Sequence, residues 1–268
     1  MNIIDASILN QLYRPPKKSH KGENGRVLII AGSDKYHGSM LLAVQVASRI
    51  TDMVYVHSTA KNLKLIDKLK SDTAVFVNVN ENDLAGIAKK ADVIIVGPGI
   101  ENSTKNTELL EMILRRFSDK KILLDATAFD CLNPESLHKN CVITPNTAEF
   151  ERVFKKPAIP QNVLGVAQQY NCVVVLKGQN DYVSDGNIIY ENQTGNAGMT
   201  KGGTGDVLSG LIGGLLAKND KMVASMAGVY INGLAGDRLY EKKSTFYNAE
   251  DLIIEIGEVW RERLGTRD

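Results

Sequence analysis

Short, continuous apolar runs alternate with stretches of helical spacing along most of the chain. Runs of four or five apolar residues are typical of strands that are buried on both faces of a parallel sheet. We predict strands at residues 27–31, 53–56, 74–77, 93–96, 122–125, 141–144 and 173–176. Apolar residues at helical spacing between these strands predict helices at residues 5–12, 41–47, 63–69, 83–90, 108–117, 148–154 and 163–170.

The C-terminal third of the chain follows a different pattern. Residues 182–184 and 187–190 flank Asp185-Gly186, which is a hairpin signal. Beyond them, only helices are predicted, at residues 206–217, 221–240 and 249–263. The pattern predicts an α/β fold with helices on both faces of a mostly parallel sheet, an antiparallel edge near the C-terminus and right-handed crossovers. With no linker or repeat, we expect one domain over residues 1–268.

Composition and charge exclude several classes of function. The 268 residues are 43% hydrophobic and 24% charged, with a net charge of +1 and no basic cluster, so we expect no nucleic-acid partner. No run approaches the length of a membrane span, and the N-terminus lacks the pattern of a signal peptide. The three cysteines lack CxxC spacing, which favours reduced thiols in the cytoplasm over a zinc site.

A glycine-rich loop at residues 195–206 is the most specific feature of the sequence. Five of its twelve residues are glycine, and it ends at Asp206, where an apolar helix begins. Free backbone N–H groups and the positive end of a helix dipole suit phosphate. The loop matches neither GxxxxGK[ST] nor a strand-linked GxGxxG. Asp206 is either a helix-stabilising acid or a positioned base, and its place at a helix start predicts a lowered pKa.

Polar residues at the predicted strand ends indicate a ligand crevice, since ligands bind outside the carboxyl ends of such strands. Each of these residues also has a plain structural reading. Residues 97–99 form a turn or a ligand contact, and Asp125 caps a helix or faces the ligand. Asn146 and Glu149 form a capping box, or they organise water or a hydrated Mg²⁺. Lys177 is solvated, or it supplies a cation near phosphates.

Several separated motifs then resemble a known family. Residues 202–206 resemble the GxGD signature of the ribokinase-like kinases, and residues 195–210 are closer to the NAD(P)H-hydrate dehydratases, the C-terminal half of YjeF-type proteins. The likeness continues, in the same order, through residues 20–22, 27–33, 97–99, 124–126, 144–145, 149–150, 175–178, 228–230 and 233–237. It implies a ribokinase-like three-layer αβα sandwich.

The resemblance implies an activity as well. The family dehydrates the (S)-epimer of NADHX or NADPHX at the expense of ADP or ATP, by phosphorylating the ring hydroxyl and then losing phosphate. Asp206 would be the base. The anion hole and nucleotide site would consist of Lys177, Gly178, Gln179, Asn180, Asp181, Asn196, Gly203, Thr204 and Gly205. The hydrated dinucleotide would contact Ser39, Gly99, Asn146 and Asp206.

The resemblance also implies Mg²⁺, a homo-oligomer and a functional pairing with a separate NAD(P)HX epimerase, because no epimerase domain precedes this part. Glu149 would contact the metal indirectly. Two residues depart from the family pattern: Thr127 stands where an acid is usual, and Asn146 where a histidine is usual. Asn146 with Glu149 matches the NxxE pattern of the related sugar kinases, so a small-molecule kinase remains an alternative, and a nucleotide sensor without turnover is a third. The choice between ADP and ATP is open.

Overall fold

The fold is built on one ten-stranded sheet that is flanked by helices. The structure is a computed structural model, and it describes residues 1–69 and 76–264. The strands are β1 (Asn2–Ile3), β2 (Arg26–Ile30), β3 (Met53–His57), β4 (Phe76–Asn78), β5 (Val93–Val96), β6 (Lys121–Leu124), β7 (Cys141–Ile143), β8 (Val173–Leu176), β9 (Asp181–Ser184) and β10 (Ile189–Asn192). Their order in the sheet is β1-β10-β9-β8-β7-β6-β5-β2-β3-β4.

The strand directions agree with the sequence pattern. All neighbouring pairs in the part of the sheet that runs β8-β7-β6-β5-β2-β3-β4 are parallel. Strand β9 is antiparallel to both β8 and β10. The short strand β1 then pairs in parallel with β10 and forms the sheet edge, which the sequence did not predict. The predicted strand at residues 74–77 overlaps β4, and its first two residues lie outside the described residues.

Helices cover both faces of the sheet. They are α1 (His37–Ala47), α2 (Ala60–Leu69), α3 (Glu81–Lys90), α4 (Thr104–Arg116), α5 (Ala128–Cys131), α6 (Thr147–Phe154), α7 (Pro160–Tyr170), α8 (Thr204–Leu216), α9 (Lys221–Lys243) and α10 (Ala249–Leu264). The predicted first helix is a 3₁₀ turn at Ala6–Gln11. Two buried apolar clusters, one on each face, fill the space between helices and sheet, so the sandwich has three layers as predicted.

Helix α8 is the central helix of one face. Every residue from Val207 to Leu216 is buried, and the helix packs on α1, α9 and β5. Its glycines allow this close packing: a Cβ on Gly210 would lie 2.4 Å from the carbonyl oxygen of Ala43, and one on Gly213 would lie 2.2 Å from Ile95. The close contact fixes the start of α8 at the carboxyl ends of the strands.

Gly210→Ala should therefore destabilise the protein, although alanine favours a helix by about 1 kcal/mol over glycine. Overpacking against the α1 backbone costs about 2 kcal/mol, and backbone cannot move aside as a flexible side chain can. Urea unfolding measures the change. Gly165→Ala in α7 is the matched control, because a Cβ on Gly165 meets nothing within 4 Å. The helical preference of alanine alone should then stabilise this variant. Equal effects of the two variants would contradict the packing argument.

The remaining sequence expectations concern thiols and membranes. Cys131, Cys141 and Cys172 are free and buried, and burial raises the pKa of the Cys141 thiol to about 12, so it is an inert core residue. In residues 1–69 and 76–264 no helix has the length and apolar character to cross a membrane.

Candidate active site

The glycine-rich loop delivers the first turn of α8 to the carboxyl ends of the strands. Gly203 caps the helix in a left-handed conformation at φ 97°, which glycine adopts without strain. The Thr204 hydroxyl donates back to the carbonyls of Met199 (2.7 Å) and Lys201 (2.9 Å). This hydroxyl is already engaged. The donors that the loop can offer to an anion are therefore backbone N–H groups, mainly that of Gly205 at the helix start.

A polar cluster outside the loop holds it in shape. Both carboxylate oxygens of Asp237 are used, one accepting from the Gly195 amide (3.0 Å) and the other from the Asn196 side chain (3.1 Å). The Asn196 side-chain oxygen accepts from the Gly198 amide (2.9 Å) and from the Tyr247 hydroxyl (2.8 Å). Asn196, which the resemblance assigns to the nucleotide, therefore also fixes the loop conformation.

Lys177 and Asp125 form a buried ion pair beneath the loop. The Lys177 ammonium donates to Asp125 Oδ1 at 2.6 Å, and the Thr144 hydroxyl donates to the same oxygen at 2.9 Å. The two side chains are 19% and 2% exposed. Asp125 does not cap the following helix through its side chain, and at 2% exposure it holds the Lys177 ammonium rather than facing a ligand directly. The ammonium also lies near the helix start, 3.6 Å from where a Cβ on Gly205 would be.

Charges around Lys177 favour its protonated form. Burial disfavours the ammonium, but the carboxylates of Asp125, Glu149 and Asp206 outweigh burial, and the pKa of Lys177 is raised. Lys177 therefore remains a cation at the point where three carboxylates and the first turn of α8 meet. Such a cation is suited to a phosphate that approaches the helix start.

The pKa of Asp206 shifts in the direction opposite to the sequence expectation. Burial, and then the negative charge of Asp125, raise it to about 6, against smaller lowering effects from a hydrogen bond with Ser39 and from Lys177. The predicted lowering was wrong, because burial beside a second carboxylate outweighs the helix start. A carboxylate with a pKa near neutrality is a better general base than an ordinary aspartate.

Asn146 and Glu149 form a capping box, which was one of the two readings of their spacing. Asn146 Oδ1 accepts from the Glu149 amide (2.9 Å), and Glu149 Oε2 accepts from the Asn146 amide (2.8 Å). One oxygen of Glu149 remains outside the box. Within the described ranges, no three His, Cys, Asp or Glu side chains come together as a metal site. A single carboxylate oxygen suits only a hydrated Mg²⁺ that the phosphates of a ligand also hold.

A cavity of about 490 Å³ opens beside the Lys177 ammonium and the glycine-rich loop. Seven of the nine residues that the resemblance assigns to the nucleotide line it: Lys177, Gly178, Gln179, Asp181, Asn196, Thr204 and Gly205. Of the other two, Gly203 caps α8, and Asn180 donates to Glu191 at 2.6 Å. Asp181 accepts from the Gly178 amide at 3.1 Å, and burial raises its pKa to about 6.

Two of the residues assigned to the hydrated dinucleotide, Ser39 and Gly99, lie together beside Asp206, whereas Asn146 pairs with Lys177. Ser39 is in the first turn of α1 and hydrogen bonds with Asp206. Gly99 has a left-handed conformation at φ 70° and packs against Ser39, where a Cβ would lie 2.8 Å from that of Ser39. Asp206 thus follows Gly205, which lines the 490 Å³ cavity, and hydrogen bonds with Ser39.

Sequence reasoning left three contributors outside the site. Asp125 was an open alternative, and Asp237 and Tyr247 were not considered as supports of the loop. Asp125 follows a buried strand directly, which was the available signal. Asp237 and Tyr247 lie 42 and 52 residues beyond Gly195, so only the packing of α9 and of the segment before α10 brings them to the loop.

The chain is similar to proteins whose descriptions all concern NAD(P)H-hydrate. The family model described as NAD(P)H-hydrate dehydratase matches residues 27–258. The chain is 37% identical over 268 residues to the ADP-dependent (S)-NAD(P)H-hydrate dehydratase of Nitrosopumilus maritimus, with 91% of each chain covered. It is 36% identical to the bifunctional NAD(P)H-hydrate repair enzyme Nnr of Methanocaldococcus jannaschii, covering 96% of this chain and 52% of that one. The chain thus spans about half the length of its bifunctional relatives.

Solved structures give the same fold. A ribokinase-like superfamily protein of Enterococcus faecalis superposes with a TM-score of 0.89 at 23% identity, covering 99% of this chain and 97% of that one. The ADP/ATP-dependent NAD(P)H-hydrate dehydratase of Bacillus subtilis superposes with a TM-score of 0.82 at 24% identity, covering 98% of both. The sandwich is therefore ribokinase-like, as the sequence predicted.

Proposed function

The chain belongs to the NAD(P)H-hydrate dehydratase family, and on that premise we propose that it converts the (S)-epimer of NADHX or NADPHX to NADH or NADPH at the expense of an adenine nucleotide. The observation that carries this proposal is the position of Asp206. It directly follows Gly205, which lines the cavity proposed for the nucleotide, it hydrogen bonds with Ser39, and its pKa is about 6. A base at the junction of two ligands is what phosphorylation of a hydroxyl requires.

In the first step, the ring hydroxyl attacks the terminal phosphoryl group of the nucleotide. Asp206 accepts the hydroxyl proton as the new O–P bond forms and the bond to the leaving nucleotide breaks. In the second step, the C–O bond breaks, phosphate leaves, and the neighbouring ring carbon loses a proton, which restores the dihydronicotinamide. Phosphorylation in the first step therefore makes the leaving group phosphate, which leaves more readily than hydroxide.

The charge of the transferring phosphoryl group needs fixed donors. The amide of Gly205 in the first turn of α8 and the Lys177 ammonium would supply them. Asp125 holds that ammonium at 2.6 Å and is itself held by Thr144. Bound Mg²⁺ would neutralise further phosphate charge, and the free oxygen of Glu149 would contact it through water.

Relatives support ADP as the phosphoryl donor. Two archaeal relatives, from N. maritimus and Cenarchaeum symbiosum, are 37% and 33% identical and are named as ADP-dependent (S)-NAD(P)H-hydrate dehydratases. We extend ADP use and the (S)-preference to this chain. An enzyme restricted to one epimer repairs both only beside an epimerase, so functional pairing with an NAD(P)HX epimerase is part of the proposal. The homo-oligomer stays a prediction.

Recovery of absorbance from the reduced nicotinamide tests the function. Purified protein is given (S)-NADHX with Mg²⁺ and either ADP or ATP, and the absorbance is followed. We expect recovery with one equivalent of AMP formed per NADH in the ADP reaction. A phosphorylated product that accumulates without recovery indicates a kinase, and nucleotide binding with neither product indicates a sensor. The feature that favoured a kinase, Asn146 with Glu149, is accounted for by the capping box.

The pH dependence of the reaction should report Asp206. Since the base must be ionised and its pKa is raised to about 6, kcat/KM should fall tenfold per pH unit below about pH 6 and level off above it. Ser39→Ala removes a hydrogen bond that lowers this pKa, so it should move the acid limb to higher pH. An acid limb centred near pH 4 in both proteins would show that the base is an ordinary carboxylate.

A further inference from the structure

A fully buried asparagine at the end of β10 lies behind the wall of the 490 Å³ cavity. Asn192 is 0% exposed and does not line the cavity, but it pairs across the strands with Asp181, which does. Thr194 also lines the cavity, directly before the glycine-rich loop begins. The resemblance assigns no role to Asn192. This residue therefore stands at the junction of two segments that form the cavity wall, the turn at residues 177–181 and the start of the glycine-rich loop.

The side-chain amide of Asn192 joins three parts of the fold. Its Nδ2 lies 3.1 Å from Asp181 Oδ2, 3.3 Å from the carbonyl oxygen of Thr194 and 3.4 Å from that of Val229 in α9. Its Oδ1 accepts from the Thr194 hydroxyl at 2.9 Å. An amide carries two N–H donors and one acceptor oxygen, so both ends of this side chain are engaged. Because these groups are buried or partly buried, removing the amide would leave them without partners, which is costly.

Helix α9 closes the other side of the loop start. A Cβ on Gly233 would lie 2.1 Å from Thr194 Oγ1, and the same hydroxyl lies 3.3 Å from the carbonyl oxygen of Tyr230. The loop start therefore cannot move towards α9, and a movement away from α9 would break the hydrogen bonds with Asn192. These contacts fix the separation between the start of the glycine-rich loop and the strand that carries Asp181.

The carboxylate of Asp181 is oriented through both of its oxygens. Oδ1 accepts from the Gly178 amide at 3.1 Å, and Oδ2 accepts from Asn192 at 3.1 Å. Each carboxylate oxygen can accept a second hydrogen bond, so capacity remains for donors on a ligand in the cavity. The direction in which this capacity points depends on the two protein donors, and Asn192 is the one that also holds the loop.

We propose that Asn192 is a positioning residue of the nucleotide site, which holds the Asp181 carboxylate and the start of the glycine-rich loop in the arrangement that binds the adenine nucleotide. The proposal rests on the proposed function for the identity of the ligand. Asn192 itself touches no ligand. It acts through Asp181 and Thr194, both of which line the cavity.

Calorimetric titration with ADP tests this role without turnover. Asn192→Ala should weaken ADP binding about tenfold, because Asp181 loses one of its two protein donors. Asn192→Ser leaves a hydroxyl in the same space and should show a smaller loss, so the test stands even if the alanine variant does not fold. Asn219→Ala is the matched control: Asn219 is buried at the far end of α8, where its amide also makes two hydrogen bonds. It should lower stability and leave ADP binding unchanged. Unchanged ADP binding in the Asn192 variants, or an equal loss in the control, would overturn the proposal.

The pH dependence of ADP binding separates positioning from a general loss of stability. Burial raises the pKa of Asp181 to about 6, and the hydrogen bond from Asn192, the Gly178 amide and the Lys177 ammonium each lower it. Glu191, the charged neighbour of Asn192, points to the opposite face of β10. Without the Asn192 bond, Asp181 should bind its proton at higher pH, so the ratio of variant to native Kd should rise as the pH falls from 8 to 5.5. Protonation of ADP itself cancels in this ratio. A ratio that does not change with pH would contradict the proposal.

A double-mutant cycle shows whether the effect passes through Asp181. Asp181→Asn should weaken ADP binding by itself, and adding Asn192→Ala should then weaken it by less than about threefold more. Effects that simply multiply would contradict the proposal. Absence of ADP binding by the native protein would overturn both this proposal and the nucleotide site. A protein that binds ADP with these differences but does not restore NADH would support the role of Asn192 and contradict the dehydratase function.

Discussion

Asp206→Asn should lower kcat about a thousandfold while KM for the nucleotide changes only a few fold, because a general base contributes roughly 10²–10⁴ in rate. The amide keeps the size and the hydrogen bond with Ser39, but it cannot accept a proton when the ring hydroxyl attacks the phosphoryl group. The residues proposed to contact the nucleotide, Lys177 and Gly205, line the 490 Å³ cavity and are unchanged in the variant. Steady-state kinetics with (S)-NADHX and ADP at pH 8 measure both parameters.

The same variant should be more stable than the native protein at pH 8. The folded-state pKa of Asp206 is about 6, above its ordinary value of 3.8, so the folded state binds this proton more tightly than the unfolded state does. The stabilisation from the bound proton is complete below about pH 4 and is lost as the pH rises through 6. At pH 8 the ionised carboxylate therefore lowers the unfolding free energy by about 1–3 kcal/mol. The neutral amide has no such cost.

Chemical denaturation of both proteins at pH 8 and at pH 4 checks this sign. The variant should exceed the native protein in unfolding free energy at pH 8, and the difference should shrink towards pH 4. An inactive variant that is also less stable at pH 8 would mean that Asp206 has a structural role. Full activity in the amide variant would remove Asp206 from the mechanism.

Local sequence patterns predicted the features of the fold that depend on neighbouring residues. The apolar runs predicted the parallel strands, because a strand buried on both faces must be apolar throughout. Asp185-Gly186 predicted the antiparallel pair of β9 and β10. The spacing of Asn146 and Glu149 offered the capping box as one of two readings, since both partners lie within one helical turn. The edge strand β1 was missed because two residues carry no detectable period.

The electrostatics of the site depend on contacts between distant parts of the chain. Asp125 and Lys177 are 52 residues apart and meet because β6, β7 and β8 are neighbours in the sheet. The sequence placed Asp206 at a helix start and so predicted a lowered pKa. It could not show that burial and Asp125 would act on the same carboxylate with the opposite sign. The pKa of a site residue follows from its tertiary neighbours, which local patterns do not report.

Lys177→Met should lower the unfolding free energy by about 3 kcal/mol, because it leaves Asp125 buried without its cation. The Asp125 carboxylate would retain only the Thr144 hydroxyl among its two side-chain partners. Activity should fall at least a hundredfold, since the transferring phosphoryl group would lose its nearest cation. Urea unfolding and kinetics with saturating ADP measure the two effects. Lys243→Met, which breaks an exposed ion pair with Asp251, is the control and should cost less than about 1 kcal/mol.

Combining Lys177→Met with Asp125→Asn separates stability from catalysis. The second change removes the buried negative charge, so the double variant should regain most of the lost unfolding free energy, and the two changes should couple by more than about 1 kcal/mol. It should not regain activity, because no ammonium faces the first turn of α8. The double variant also withdraws the Asp125 charge, which raises the pKa of Asp206, and the Lys177 charge, which lowers it by less, so any residual activity should have its acid limb at lower pH. If the double variant stayed as unstable as Lys177→Met alone, the unpaired charge of Asp125 would not be the cause of the lost unfolding free energy.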